Sequence, residues 1–166
     1  NLFTLLMIVF IHLISVILTL YLLVNNVNLS NPTELKGVWP SLKNDLLSKY
    51  SHTWDSKDPE GWADLFIDEG IWENSFAGKV GRTLKSNKER FEFAKELQES
   101  FRQKGVTTRH HQTNTLLTVK EDGELRGETV FSVIWQDIED PLPKLMHSGV
   151  YRDHYVKTDK GWKFKV

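Results

Sequence analysis

Cysteine is absent from the 166-residue sequence. Disulfides, thiol nucleophiles and cysteine-bound zinc are therefore excluded, while the compartment stays open. Charge is absent from the head of the chain, where the first Asp, Glu, Lys or Arg is Glu34. A basic excess is absent as well, with 21 Lys+Arg against 22 Asp+Glu, and without a positive field nucleic acid is not an expected partner. Neither an internal repeat nor a low-complexity tract is visible. Aromatic side chains are plentiful: six Trp, nine Phe and four Tyr suffice to build a core and line a cavity in one small domain.

From Leu2 to Val24 the sequence is apolar apart from Thr4, His12, Ser15, Thr19 and Tyr21. A helix of that length spans a hydrocarbon layer of roughly 30 Å, so residues 1–24 are expected to form a single-pass transmembrane helix or signal anchor. A cleaved signal peptide fits less well, because the run exceeds the usual apolar core and no small-x-small site follows. Lys36 and Lys43 are too few to orient the helix, so the membrane side is not readable. Residues 25–39 read as a linker containing the acceptor triplet Asn28-Leu29-Ser30, and residues 40–166 as the folded domain. A start at Asn1 and a stop just after Trp162-Lys163-Phe164 suggest a fragment of a longer reading frame.

Pro40 suits a first helical position, and Leu42, Leu46, Leu47, Tyr50 and Trp54 recur at helical spacing until Asp55-Ser56-Lys57. Asp58-Pro59 restarts a short helix with apolar residues Trp62, Leu65 and Phe66. Strand-like alternation follows from Gly70 to Glu73, with a turn at Ala77-Gly78-Lys79. Ser86 with Glu89 forms a capping box for a third helix whose stripe is Phe91, Ala94, Leu97 and Phe101 and whose end is Gly105. The period then becomes two. Strands are expected over Thr107–Val119, Leu125–Gln136, Leu145–Lys157 and Trp162–Val166. Three helices followed by a meander describe an α+β domain, with a strongly curved sheet leaving a pocket against the helices.

Within Thr108-Arg109-His110-His111-Gln112-Thr113-Asn114, neighbours point to opposite faces. His110, Gln112, Asn114 and Leu116 are expected on one face; Arg109, His111, Thr113 and Thr115 on the other. The two histidines therefore cannot share a metal. A carboxylate holding one imidazole nitrogen protonated frees the other to accept a proton, and Asp55 at the end of the first helix is the best partner for His110. The alternative stays open that Asp55 caps or solvates a helix end while His110 bonds to backbone. Tyr50 lies about 140° around an ideal helix from Asp55, so the two share a pocket only if the helix ends or bends. His147, Tyr151 and Asp153 share one face of a late strand, and whether that face is the inward one is open.

Tyr50 through Asp55, followed by Trp62-Ala63-Asp64-Leu65-Phe66-Ile67-Asp68-Glu69-Gly70, resembles the opening of the SnoaL-like branch of the nuclear-transport-factor-2-like (NTF2-like) superfamily. Arg109 to Asn114 resembles its histidine strand, and Gly149-Val150-Tyr151-Arg152-Asp153 with Gly161-Trp162-Lys163-Phe164 its closing hairpin. The resemblance implies a cone-shaped barrel of three helices on a curved mixed β-sheet. It points to the branch of bile-acid dehydratases, scytalone dehydratase, a dehydrochlorinase and polyketide cyclases, which use neither metal nor cofactor. Carried over, His110 is the general base, Asp55 orients and charges it, and Tyr50 polarises a substrate oxygen. Trp72, Phe66, Asn114, Tyr151 and His147 contact substrate. The implied activity is that of a dehydratase-like lyase or isomerase acting on a small hydrophobic cyclic compound. The implied assembly is a homodimer or homotrimer. The alternative function is a membrane-tethered, non-catalytic module that binds a small molecule or assists protein assembly.

Overall fold

The computed structural model of the protein describes residues 32–121 and 124–166. The apolar run Leu2–Val24 lies outside the described residues, and among these no helix is long and apolar enough to cross a membrane.

Helix α1 (Pro32–Leu42), a π-helical turn (Lys43–Leu47) and α2 (Ser48–Asp55) follow one another without a break. The stretch up to residue 39, expected to be linker, is thus helical from Pro32. Pro32 and Pro40 both suit a first helical position; the helix starts at the earlier one, and Pro40 sits inside α1, where it withholds a backbone donor. The ladder widens into the π turn just beyond it, as helices do where regular bonding is interrupted. Leu42, Leu46 and Leu47 are nonetheless buried. Helix α3 (Pro59–Ala63) has Asp58 as its cap, accepting the Gly61 N–H at 2.9 Å.

Strands β1 (Trp72–Phe76) and β2 (Lys79–Leu84) form a separate hairpin, turned by Ala77 (φ 50°) and Gly78 (φ 76°), the paired positive φ values of a tight hairpin. Helix α4 (Asn87–Gln103) starts at Ser86, whose hydroxyl accepts the Glu89 N–H at 3.2 Å. The Glu89 carboxylate reaches the N–H of Lys85 (2.6 Å), one residue before the cap. Gly105 (φ 62°) follows the helix end. The fully buried stripe of α4 is Arg90, Ala94, Gln98 and Phe101, whereas Phe91 and Leu97 are half-buried. Arg90 turns inward because its guanidinium binds the carbonyls of Gly70 and Ile67 and lies 4.9 Å from the centre of the Phe66 ring.

Strands β3 (Thr107–Val119), β4 (Leu125–Gln136), β5 (Lys144–Thr158) and β6 (Gly161–Phe164) form one sheet in that order. Every pairing in it is antiparallel. The expected mixed sheet reduces, among the described residues, to a single parallel bridge between Phe66 and Phe164. A bulge falls between Thr113 and Leu116, because Thr113 pairs with Val130 but Leu116 with Glu128. Asn114 takes up the extra residue at φ 52°, a conformation Asn tolerates better than most side chains. The bulge reverses the faces beyond it. Leu117 and Val119 pack on the core, and Leu116, expected inside, is 63% exposed. The core gathers Leu42, Leu46, Trp62, Leu125, Tyr155 and Phe164 between the helices and the inner face of the sheet.

Candidate active site

The way α2 stops aims Asp55. The N–H of Asp58 reaches the carbonyl of Thr53 (2.8 Å) and that of Lys57 the carbonyl of Trp54 (3.0 Å), with Lys57 left-handed at φ 62°. This pair of bonds is a Schellman stop, clamped by Arg102 donating to the Lys57 carbonyl at 2.7 Å. Asp55 is the last helical residue and meets β3, the terminal strand of its sheet. Its Oδ1 accepts from Nδ1 of His110 (2.6 Å) and from the Thr108 hydroxyl (2.8 Å). Its Oδ2 accepts the His110 backbone N–H (2.9 Å), which satisfies a donor on the strand's free edge.

Asp55 and His110 are 13% and 11% exposed in their side chains. Burial alone would raise the Asp55 carboxyl, but hydrogen bonds from the His110 ring and backbone, its charge and the Thr108 hydroxyl outweigh this and hold it below its ordinary value. With Nδ1 engaged as a donor, the lone pair sits on Nε2, to which no described residue hydrogen-bonds. Three donors on the carboxylate are more than a helix end needs, so the reading of Asp55 as a simple cap does not describe this geometry. A turn lower, Gln112 donates to the Leu47 carbonyl (2.9 Å) and the Ser51 hydroxyl (2.8 Å). The α2–β3 seam is thus pinned at two levels.

A half-open groove of about 660 Å³ follows this seam, with Trp39, Leu47, Ser51, Asp55, His110 and Asn114 in its wall. On its inner side Trp54 meets the His110 ring edge-on at 6.3 Å. From Trp54 the ring contacts continue to Trp62 (4.9 Å), then Tyr50 (5.9 Å), then Tyr151 (5.5 Å). Trp72 packs on Phe93 (5.2 Å), and Tyr151 stacks on Phe131 (4.1 Å). Trp62 is fully buried, whereas Tyr50, Trp54, Trp72, Phe93, Phe131 and Tyr151 are only half-buried. Trp72 donates its indole N–H to the Tyr50 hydroxyl at 3.1 Å, leaving the phenolic proton free to point elsewhere. Burial pushes Tyr50 up to about 12, partly offset by that bond, so it is a neutral donor at physiological pH.

The expected site residues therefore separate. Asp55 and His110 meet. Tyr50, Trp72 and Tyr151 belong to the aromatic chamber, the ring cluster that continues inward from Trp54 through Trp62, while the five-residue offset along α2 keeps the Tyr50 and Asp55 side chains out of direct contact. Asn114 is exposed at the bulge and borders the groove rather than following His110 inward. Phe66 is 3% exposed between Trp62, Phe164 and Arg90 and belongs to the closed core. His147 pairs with Val133 opposite His110, but it is exposed at the rim against Trp135. His111 is exposed on the outer face, as expected. Sequence reasoning missed Thr108, whose position two residues before His110 on the same strand face was the available signal. It also gave no role to Phe93 or Phe131. Among the described residues no three His, Cys, Asp or Glu side chains are grouped so as to hold a metal ion.

Residues 44–166 match the SnoaL-like domain. The chain belongs to the SnoaL-like family. Solved structures with the same fold include ActVI-ORFA from Streptomyces coelicolor, 16% identical with a TM-score of 0.68 over 78% of this chain and 91% of that one. A candidate scytalone dehydratase from Novosphingobium aromaticivorans is 24% identical, with a TM-score of 0.61 over 80% and 83%. Aln2 from a Streptomyces species is 17% identical, with a TM-score of 0.64 over 78% and 86%. No curated protein matches the chain by sequence. At these identities the structural likenesses establish the NTF2-like fold, and within this SnoaL-like chain the chemistry rests on its own residues.

Proposed function

We propose that this SnoaL-like domain is a lyase or isomerase of the dehydratase type acting on a small hydrophobic cyclic compound. The observation that carries the reading is the 2.6 Å contact between Asp55 Oδ1 and His110 Nδ1, which directs the basic lone pair to Nε2. His110 Nε2 takes a proton from a carbon next to a carbonyl, and Asp55 stabilises the imidazolium that forms. Tyr50, with its oxygen already accepting from Trp72, offers its own proton as a hydrogen bond to the developing enolate oxygen. The enolate then expels a β-hydroxyl, which leaves as water with the proton returned by the His110 imidazolium, or another leaving group as its anion; an extended enolate instead takes that proton back at its γ-carbon. Trp54, Trp72, Phe93 and Tyr151 supply apolar ring surface for the rest of the substrate. The scytalone dehydratase likeness fits this class of reaction. The run Leu2–Val24 suits a tether at a bilayer, into which such compounds partition.

The test is solvent deuterium exchange into cyclic ketones by the wild type, His110→Ala and Asp55→Asn. The reading predicts exchange in the wild type, with a loss of about 10²- to 10⁴-fold in both variants. Equal exchange in all three would leave a binding module and no base.

A further inference from the structure

Asp153 is a buried ionisable group that the proposed chemistry does not use. It lies on β5 opposite Gly127, between Tyr151 and Tyr155 on the inner face. One oxygen, Oδ2, accepts the Tyr155 hydroxyl at 2.8 Å. Tyr155 reaches it by folding across Gly127, where a Cβ would lie only 2.6 Å from the Tyr155 hydroxyl. No ion pair joins Asp153 to any described residue, and no hydrogen bond from one reaches Oδ1. The residue is half-buried, and its Oδ1 is not fully enclosed. Desolvation by its aromatic neighbours pushes it up to about 7, against the smaller opposing effect of the Tyr155 bond. A buried carboxyl with one oxygen engaged and no counter-charge is a costly feature to leave in a core without use.

We infer that Asp153 determines specificity by binding a hydroxyl group at the end of the ligand remote from His110. A hydroxyl both donates and accepts, so it can partner this carboxyl in either protonation state. The spacing sets the ligand's length. His110 is level with His147 through Val133, and from His147 to Asp153 is six residues along β5, about 20 Å at ~3.3 Å per residue. Curvature of the sheet and a contact distance of ~3 Å at each end leave a ligand span on the order of 10 Å. Between the two levels the strand carries Gly149 under the stacked rings of Phe131 and Tyr151, a flat apolar floor for linked or fused rings. The inference rests on the proposed reaction for the position of the reacting carbon, while the hydroxyl site stands on Asp153 alone.

Two probes differ only in the predicted group: 4-cyclohexylcyclohexanone and 4-(4-hydroxycyclohexyl)cyclohexanone, whose two oxygens are held about 10 Å apart by the linked rings, matching the span left between hydrogen-bond contacts at the two ends. Tryptophan fluorescence gives the affinity of each. The wild type should bind the hydroxylated probe about tenfold more tightly. Asp153→Leu should abolish this preference, and Asp153→Asn, which keeps a donor and an acceptor, should restore much of it. His110→Ala should retain the preference even where deuterium exchange is lost, which separates this inference from the proposed reaction. Should Asp153→Leu fail to fold, infrared difference spectra of the wild type decide: the carboxyl C=O band must shift with the hydroxylated probe and not with the plain one. Equal affinities in the wild type, binding of neither probe, a preference that survives Asp153→Leu, or an unshifted band would each overturn the assignment.

Discussion

The α2–β3 seam and the aromatic chamber share helix α2, yet they treat polar groups in opposite ways. At the seam the central polar groups are engaged: Asp55 takes three hydrogen bonds from Thr108 and His110, and Gln112 is spent on Leu47 and Ser51. In and around the chamber, partners are missing. The buried Trp62 indole N–H meets no acceptor at hydrogen-bonding geometry among the described residues, and Asp153 has a single partner. The seam is preorganised around its carboxylate, and the polar groups of the chamber are less fully engaged.

The comparison breaks most sharply at Asp55. Asp55→Ala strands three donors at once, and urea unfolding should show a loss of about 3 kcal/mol. Because the folded Asp55 carboxyl is held below its ordinary value, its contribution is present above the unfolded pKa and disappears as pH falls through the folded one. Wild type and Asp55→Asn should therefore converge in stability in acid, below about pH 4.

Asp153 should show the reverse sign. Its folded carboxyl is raised to about 7, so the native state holds a proton that the unfolded chain has released, and stability falls as pH rises from about 4 to about 7. The titratable groups facing it are Tyr50 of α2 and Tyr151 and Tyr155 of β5, all raised by burial and neutral throughout that window. Asp153→Asn should flatten this decline, gaining on the order of 3 kcal/mol over wild type between pH 5 and pH 8, measured as unfolding free energy at each pH. A decline of equal steepness in the variant would mean that Asp153 is not the group responsible.

Gln112→Leu removes two hydrogen bonds from the lower pin of the seam and should cost about 1 to 2 kcal/mol. Lys57→Gly acts on the helix stop alone. Relieving a left-handed lysine at φ 62° should stabilise by about 0.5 to 1 kcal/mol, with hydrogen exchange at Asp58 slowing accordingly.

Strands β3 and β4 and the end of α2 were legible because period-two alternation and the Asp55-Ser56-Lys57-Asp58-Pro59 stop are local signals. The meeting of Asp55 with His110 was legible as chemistry, since one carboxylate and one histidine suited each other among apolar neighbours. The bulge at Asn114 was not, because it exists only in the pairing with β4: Thr113 to Leu116 must be counted against Val130 to Glu128. The inward turn of Arg90 was hidden for a similar reason, since its acceptors are carbonyls of a loop twenty or more residues before it. The helical stretch before Pro40 was missed, because Pro40 reads as the first helical position whereas it lies inside α1.

The account stands on the imidazole of His110 being held as a base by Asp55. Nitrogen-15 NMR of the histidine rings, with the His110 signals identified by their loss in His110→Gln, tests this without knowledge of the substrate. For the neutral ring, the account predicts a protonated Nδ1 and a bare Nε2 in the wild type, and loss of that tautomer preference in Asp55→Ala. A proton on Nε2 in the wild type, or a ring unchanged by Asp55→Ala, would contradict it.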